Sequence, residues 1–496
     1  MERETVDRIV AGGHVLTMEA ARPEIADGAV AIRGGRIAGV GTRAAVEAAF
    51  VAAETIDARG CVVLPGLVDA YAHAGHGMIR GLFHPAAGWP AGPLYWHATT
   101  PQWWRAEARL AALERLKGGV TTGLSVIGAT PARADDTIFS DVNAEAYLEA
   151  GLGVVLAVGP PDPVFPHLPE PFEGSFLVDG RWERRGFTHA DAERVSLAVI
   201  DRWHGAGEGR IRVALAPPYL LGRHVQHRRT PHRLPDVSDV PAMLAHARRM
   251  REIADDRKVI LQTHMFAGSV DFARAHFGDR DLDRILGPDV LACHSNGLGP
   301  EEVRVLGAHR VGIGTVAFTH ENLWYGMAPV PALIAAGCAV AATSDGAAPY
   351  TSLDLWREMA RTAWNQWQAA GTQGVLPPET LLRMVTIDAA RALSLDDRVG
   401  SLAVGKDADV VLMDLGTAHI GPIADLASSL VFFGQAADVR TVIAKGEVLL
   451  RDRRPVRVDA DAVVAEAREE AAKALERVDL GPYRRTVAWD GRGDWG

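Results

Sequence analysis

Apolar residues along the chain fall into short β-branched runs separated by amphipathic helical stretches, and this alternation predicts a parallel α/β barrel. The run Val62-Val63-Leu64, passing through Pro65-Gly66 into Leu67-Val68, predicts the first strand. The other seven are expected at 118–123, 152–159, 211–217, 259–264, 290–294, 311–315 and 340–345, with residues 106–117 reading as a helix after the first. Both chain ends have a different character. Residues 8–18, 28–41, 400–416 and 440–452 are strand-like and glycine-punctuated, and Gly34-Gly35 suits a tight hairpin turn. The expected fold is therefore α/β: a (β/α)8 TIM barrel over 61–395, a small β-sandwich domain built from 1–60 and 396–455, and a C-terminal helix and tail over 456–496.

Three stretches interrupt the rhythm. Residues 83–104 carry Trp89, Tyr95, Trp96, Trp103 and Trp104, residues 160–190 are rich in proline and aromatics, and residues 222–240 hold His224, His227 and His232. Loops of this length in a compact domain act as lids or binding loops, and each follows a strand that ends at the same barrel mouth. Trp89, Trp96, Trp103, Trp104, Phe318 and Trp324 around that mouth suit an apolar or aromatic small molecule, although several can equally pack the loops against one another. The histidine-rich stretch reads as a solvated basic loop. The sparse apolar stripe of the helix near 459–477, with Trp489 and Trp495 beyond it, hints at a homo-oligomer.

Composition narrows the class of partner. A net charge of −10 with no Lys/Arg run argues against nucleic acid. No apolar run approaches the ~18 residues of a membrane span, and MERETVDRIV has no hydrophobic signal core. Cys61, Cys293 and Cys338 form no disulfide framework and read as small buried hydrophobes. A cytoplasmic enzyme acting on a small molecule is the expectation.

Three predicted strands end in a side chain able to bind a metal: His264, His294 and Asp345. Ligands at successive strand ends of a barrel converge on one mouth. Catalytic zinc and similar ions take about three protein ligands from His, Asp and Glu and leave one position for water.

Residues 62–81, VVLPGLVDAYAHAGHGMIRG, resemble the first-strand signature of the amidohydrolase superfamily, in particular its branch of triazine hydrolases, chlorohydrolases and nucleobase deaminases. The resemblance implies that His73, His264 and Asp345 hold one divalent metal, with zinc first and iron, manganese or cobalt also compatible. It implies that Asp345 accepts the proton of a metal-bound water and that His294 assists at the substrate carbonyl. No lysine ends the fourth strand, which favours a mononuclear centre. Two positions depart from the pattern. Tyr71 stands where the branch has the first histidine of His-x-His, so either the metal sits with His73, His264 and Asp345 alone, or His76 or His294 compensates, or Tyr71 hydrogen-bonds the metal-bound water. Ala267 stands where the deaminases carry a glutamate that protonates a ring nitrogen. Tyr219, Arg80 and Trp324 are further candidates for substrate contact.

The segment HAGHG at 73–77 is also similar to the phenylurea and thiocarbamate hydrolases. The expected function is therefore hydrolysis of a non-peptide C–N bond, of urea, carbamate or amide type, by metal hydroxide. The alternatives are an aminohydrolase (deaminase) or chlorohydrolase of an aromatic heterocycle, and a catalytically degenerate homologue that binds a small ligand.

Overall fold

The computed structural model describes residues 3–83, 90–128, 132–163, 172–222, 237–321, 326–348 and 351–483. Eight strands form a parallel sheet in sequence order: Leu67–Asp69, Val120–Val126, Gly153–Val158, Ile211–Leu215, Ile260–Phe266, Val290–Asn296, Gly312–Thr315 and Ala339–Ala342. Helices join them because a parallel pair needs a long crossover. Both faces of the sheet are covered, so these strands are buried almost throughout and read as continuous apolar runs. The ring closes between its first and last strands just past their ends: the Asp345 N–H donates to the Tyr71 carbonyl at 3.0 Å, and Ala72 and Asp345 form an isolated bridge.

The second sheet has nine strands from the two chain ends, from Glu4–Leu16 through Cys61–Pro65 and from Val410–Asp414 to Arg454–Pro455. Alternation separates its faces: Val10, Val30 and Ile32 belong to one apolar cluster, Ile9, Ala29 and Ala31 to another. Gly34-Gly35 makes the expected turn, with φ of 56° and 75°.

One strand lies elsewhere than its sequence suggests. Cys61–Pro65, read as the opening of the first barrel strand, pairs with Val410–Asp414 in the nine-stranded sheet. The change of sheet takes one residue: the Gly66 N–H donates to Asp409 and the Leu67 N–H to Gly119. A Cβ on Gly66 would stand 2.1 Å from the Thr121 hydroxyl oxygen, so the crossing needs glycine.

The 160–190 stretch contains a β-hairpin, Phe172–Val178 and Arg181–Phe187, turning at Asp179-Gly180. The C-terminal helix, Ala460–Leu475, packs on helix Pro101–Gly118, where Arg109 is ion-paired with Glu466. Its buried Val463, Ala467 and Ala474 are thus covered within the chain. No described helix is long and apolar enough to cross a membrane.

Candidate active site

The chain leaves the first barrel strand at Asp69 and reaches Tyr71, His73 and His76 within seven residues. Tyr71 is fully buried and points into a ring of histidines: the His73, His264 and His294 rings all stand edge-on to it, with centroids 5.3, 5.7 and 5.5 Å away. Its hydroxyl oxygen lies 2.7 Å from His73 Nε2 and 2.7 Å from His264 Nε2, with the Asp345 carboxyl beside it. The Asp345 carboxylate lies 3.4 Å from His73 Nε2. The structure therefore gathers His73, His264 and Asp345 about one point, and that point is the oxygen of Tyr71.

The tautomer of His73 follows from its other nitrogen. A carbonyl oxygen only accepts, so at 2.7 Å from Gly128 O the Nδ1 atom carries the proton. Burial pushes the His73 pKa down to about 4, against the pull of that carbonyl, so the ring is neutral and Nε2 presents a bare lone pair to Tyr71. Burial and the nearby Asp345 hold the Tyr71 phenol well above its usual pKa. Burial likewise raises Asp345 to about 7, against the opposing effect of the neighbouring Tyr71 hydroxyl. About a fifth (21%) of the Asp345 side chain still reaches solvent, which leaves a path for water or substrate.

His294 stacks between His264 (5.1 Å) and Phe266 (5.3 Å). His294, Ser295 and Asp345 all have left-handed backbones, with φ of 68°, 56° and 62°. Such conformations cost ~1–3 kcal/mol each for residues with a side chain and persist where the surroundings fix them. Beneath Asp345 the fixing group is Asp69. Its carboxylate accepts from the Ser344 hydroxyl (2.7 Å) and the Ser344 N–H (3.2 Å), and is paired with Arg115 at 2.9 Å, both side chains being almost wholly buried. Arg115 also donates to the Tyr147 hydroxyl, Ser125 and the Leu124 carbonyl. The sequence reading noted Asp69 only as one polar residue of the signature and missed this network. The signal available was an arginine on the inner face of an amphipathic helix.

The remaining candidates separate. His76 stacks on His73 (4.7 Å, 4° between planes) and hydrogen-bonds the Tyr95 hydroxyl, so it backs the site. Tyr219 borders it, its ring 5.8 Å from that of His264 and its N–H donating to Asp162. Arg80 is ion-paired with Glu114. Trp96, Trp103 and Trp104 are buried in the packing, Trp96 stacked on Phe187. Trp324, Trp89, His224, His227, His232, Trp489 and Trp495 lie outside the described residues.

Glu107, on the helix below, accepts from the Gly75 N–H, and its Oε2 is buried with no hydrogen-bond partner among the described residues. Burial lifts its pKa to about 7 from 4.5. The folded state therefore binds this proton more tightly than the unfolded state, and stability attributable to it falls as pH rises from about 4.5 through 7. Glu107→Gln should match wild type in urea unfolding at pH 5 and exceed it by ~1–3 kcal/mol at pH 8. An equal difference at both pH values would count against a buried, titrating carboxyl.

Residues 62–449 match the profile of the amidohydrolase family. The chain belongs to the amidohydrolase family. It is accordingly an enzyme of a group whose members act on C–N bonds. A relative from Desulforudis audaxviator, named 5-methylthioadenosine/S-adenosylhomocysteine deaminase, is 31% identical over 461 residues, 91% of this chain and 96% of its own. Among solved structures, an adenosine deaminase from Xanthomonas campestris with bound zinc has a TM-score of 0.79 at 24% identity, covering 96% of this chain and 100% of its own. The atrazine chlorohydrolase of Arthrobacter aurescens, complexed with zinc, has a TM-score of 0.75 at 24% identity, over 94% and 100%. In this amidohydrolase the donor types at the site suit such an ion, but the Tyr71 hydroxyl oxygen stands between the His73 and His264 donors. Zinc–nitrogen bonds are about 2.0–2.1 Å, whereas both Nε2 atoms stand at hydrogen-bond distance from a phenol. Among the described residues no three His, Cys, Asp or Glu side chains are arranged to hold a metal ion.

Proposed function

We propose that this amidohydrolase cleaves a non-peptide C–N bond of a small molecule, of urea, carbamate or amide type. The observation that carries this reading is the pairing of a retained Asp345 with Ala267. The Ala267 N–H is used by the Asn296 carbonyl, and its side chain offers no acid to a ring nitrogen. Hydrolysis of an acyl C–N bond needs none there.

In the proposed reaction the Asp345 carboxylate takes a proton from water as the oxygen attacks the carbonyl carbon. It returns that proton to the nitrogen as the C–N bond breaks, so amine and acid leave and the carboxylate is restored. A carboxyl that titrates near neutrality suits a group that both takes and gives a proton. In this reading His294, clamped between two rings, hydrogen-bonds the carbonyl oxygen as negative charge develops on it. Zinc in the neighbours supports a divalent metal, for which His73, His264 and Asp345 are the donors, but with the Tyr71 hydroxyl among them no step is assigned to it.

A second reading, deamination of an adenosine-type compound, is favoured by the names of the relatives. One assay separates the two: aryl ureas, thiocarbamates and anilides are followed for amine release, and adenosine derivatives for ammonia. Turnover of the first group alone is expected. Ammonia from adenosine derivatives alone would replace the first reading by the second, and silence throughout would overturn both.

A further inference from the structure

The Tyr71 hydroxyl has one proton and two lone pairs, and three groups surround it: His73 Nε2, His264 Nε2 and Asp345. With Nδ1 of His73 committed to Gly128, the Nε2 lone pair that would face a cation is met by the phenol. The phenol is held from several sides. Tyr71 is fully buried, its carbonyl is fixed by the Asp345 N–H, and its ring is flanked edge-on by three imidazoles. Below the ring, a Cβ on Gly314 would stand 3.3 Å from Tyr71 Cβ, so the absence of a side chain there leaves room for the tyrosine.

We propose that the Tyr71 hydroxyl occupies the seat of the divalent metal in this site, so that the chain holds such a cation far more weakly than it would with an imidazole at position 71. A cation entering between His73 and His264 has to expel the hydroxyl from its two hydrogen bonds to these rings, and it gains no ligand from a neutral phenol. The inference rests on reading His73, His264 and Asp345 as the donor set. It does not depend on which C–N bond is cleaved, because its readout is the ion itself.

The test is zinc affinity by competition with a chromophoric chelator, on metal-free wild type and Tyr71→His, with circular dichroism to compare folding. Tyr71→His is expected to bind one zinc at least about 10- to 100-fold more tightly than wild type. Equal or tighter binding by wild type overturns the proposal, because the tyrosine would then be a ligand or a bystander. Should the variant not fold, wild type alone decides. Expressed with added zinc and passed through gel filtration, it is expected to retain less than about 0.1 equivalent. A full equivalent retained, and lost in His264→Ala, overturns the proposal.

Discussion

Asp345→Asn should lower kcat/KM for the C–N substrate by ~10²–10⁴-fold while leaving the fold intact. The residue sits at φ 62°, and asparagine adopts the left-handed conformation more readily than most residues, so the backbone that closes the barrel is kept. Only the capacity to take a proton from water and hand it to nitrogen is lost. Steady-state kinetics with a thermal melt check both halves: activity within a few-fold of wild type would remove Asp345 from the role of base, and a collapsed melt would make the loss uninformative.

Arg115→Met should be the most destabilising single change, by ~3–5 kcal/mol in urea unfolding. The substitution keeps much of the side-chain volume but leaves the Asp69 carboxylate buried without its cation. Activity should fall as well, because Asp69 holds Ser344 by two hydrogen bonds, one residue before Asp345. Adding Asp69→Asn to Arg115→Met should recover much of the stability, since no charge then remains to bury. A double variant as unstable as the sum of the singles would contradict this account of the pair.

The barrel was legible because its signal is repeated: eight apolar runs at helix-spaced intervals, each short, each buried on both faces. The seven runs after the first each overlap a barrel strand, with Asp345 three residues past the end of the last. Of the first, Leu67-Val68 lies on its barrel strand and only the opening half was misplaced, because periodicity records burial and not the identity of the partner strand. Val62 and Leu64 are as buried in the nine-stranded sheet as they would be in the barrel. The hairpin at 172–187 was readable in principle, since Asp179-Gly180 between alternating residues is a strong turn signal, but the surrounding prolines drew the reading toward a loop. At the site, His73, His264, His294 and Asp345 could be named because each ends a strand or a signature. The role of Tyr71 could not. Its position in the sequence marked a missing histidine, whereas the length of its ring, which carries an oxygen to the midpoint of two imidazoles, shows only in three dimensions.

The barrel has no full ladder between its first and last strands. They are joined by Ala72 and Asp345, by the Tyr71 carbonyl, and by Asp69 reaching to Ser344. These are the residues of the site or their immediate neighbours, so the clasp of the fold and the candidate site are one object. Whatever is held between Tyr71 and Asp345 also holds the ring shut, and its binding free energy is added to the work of opening the barrel. Substrates, inhibitors and ions of this enzyme can therefore be recognised as stabilisers before any of their chemistry is known.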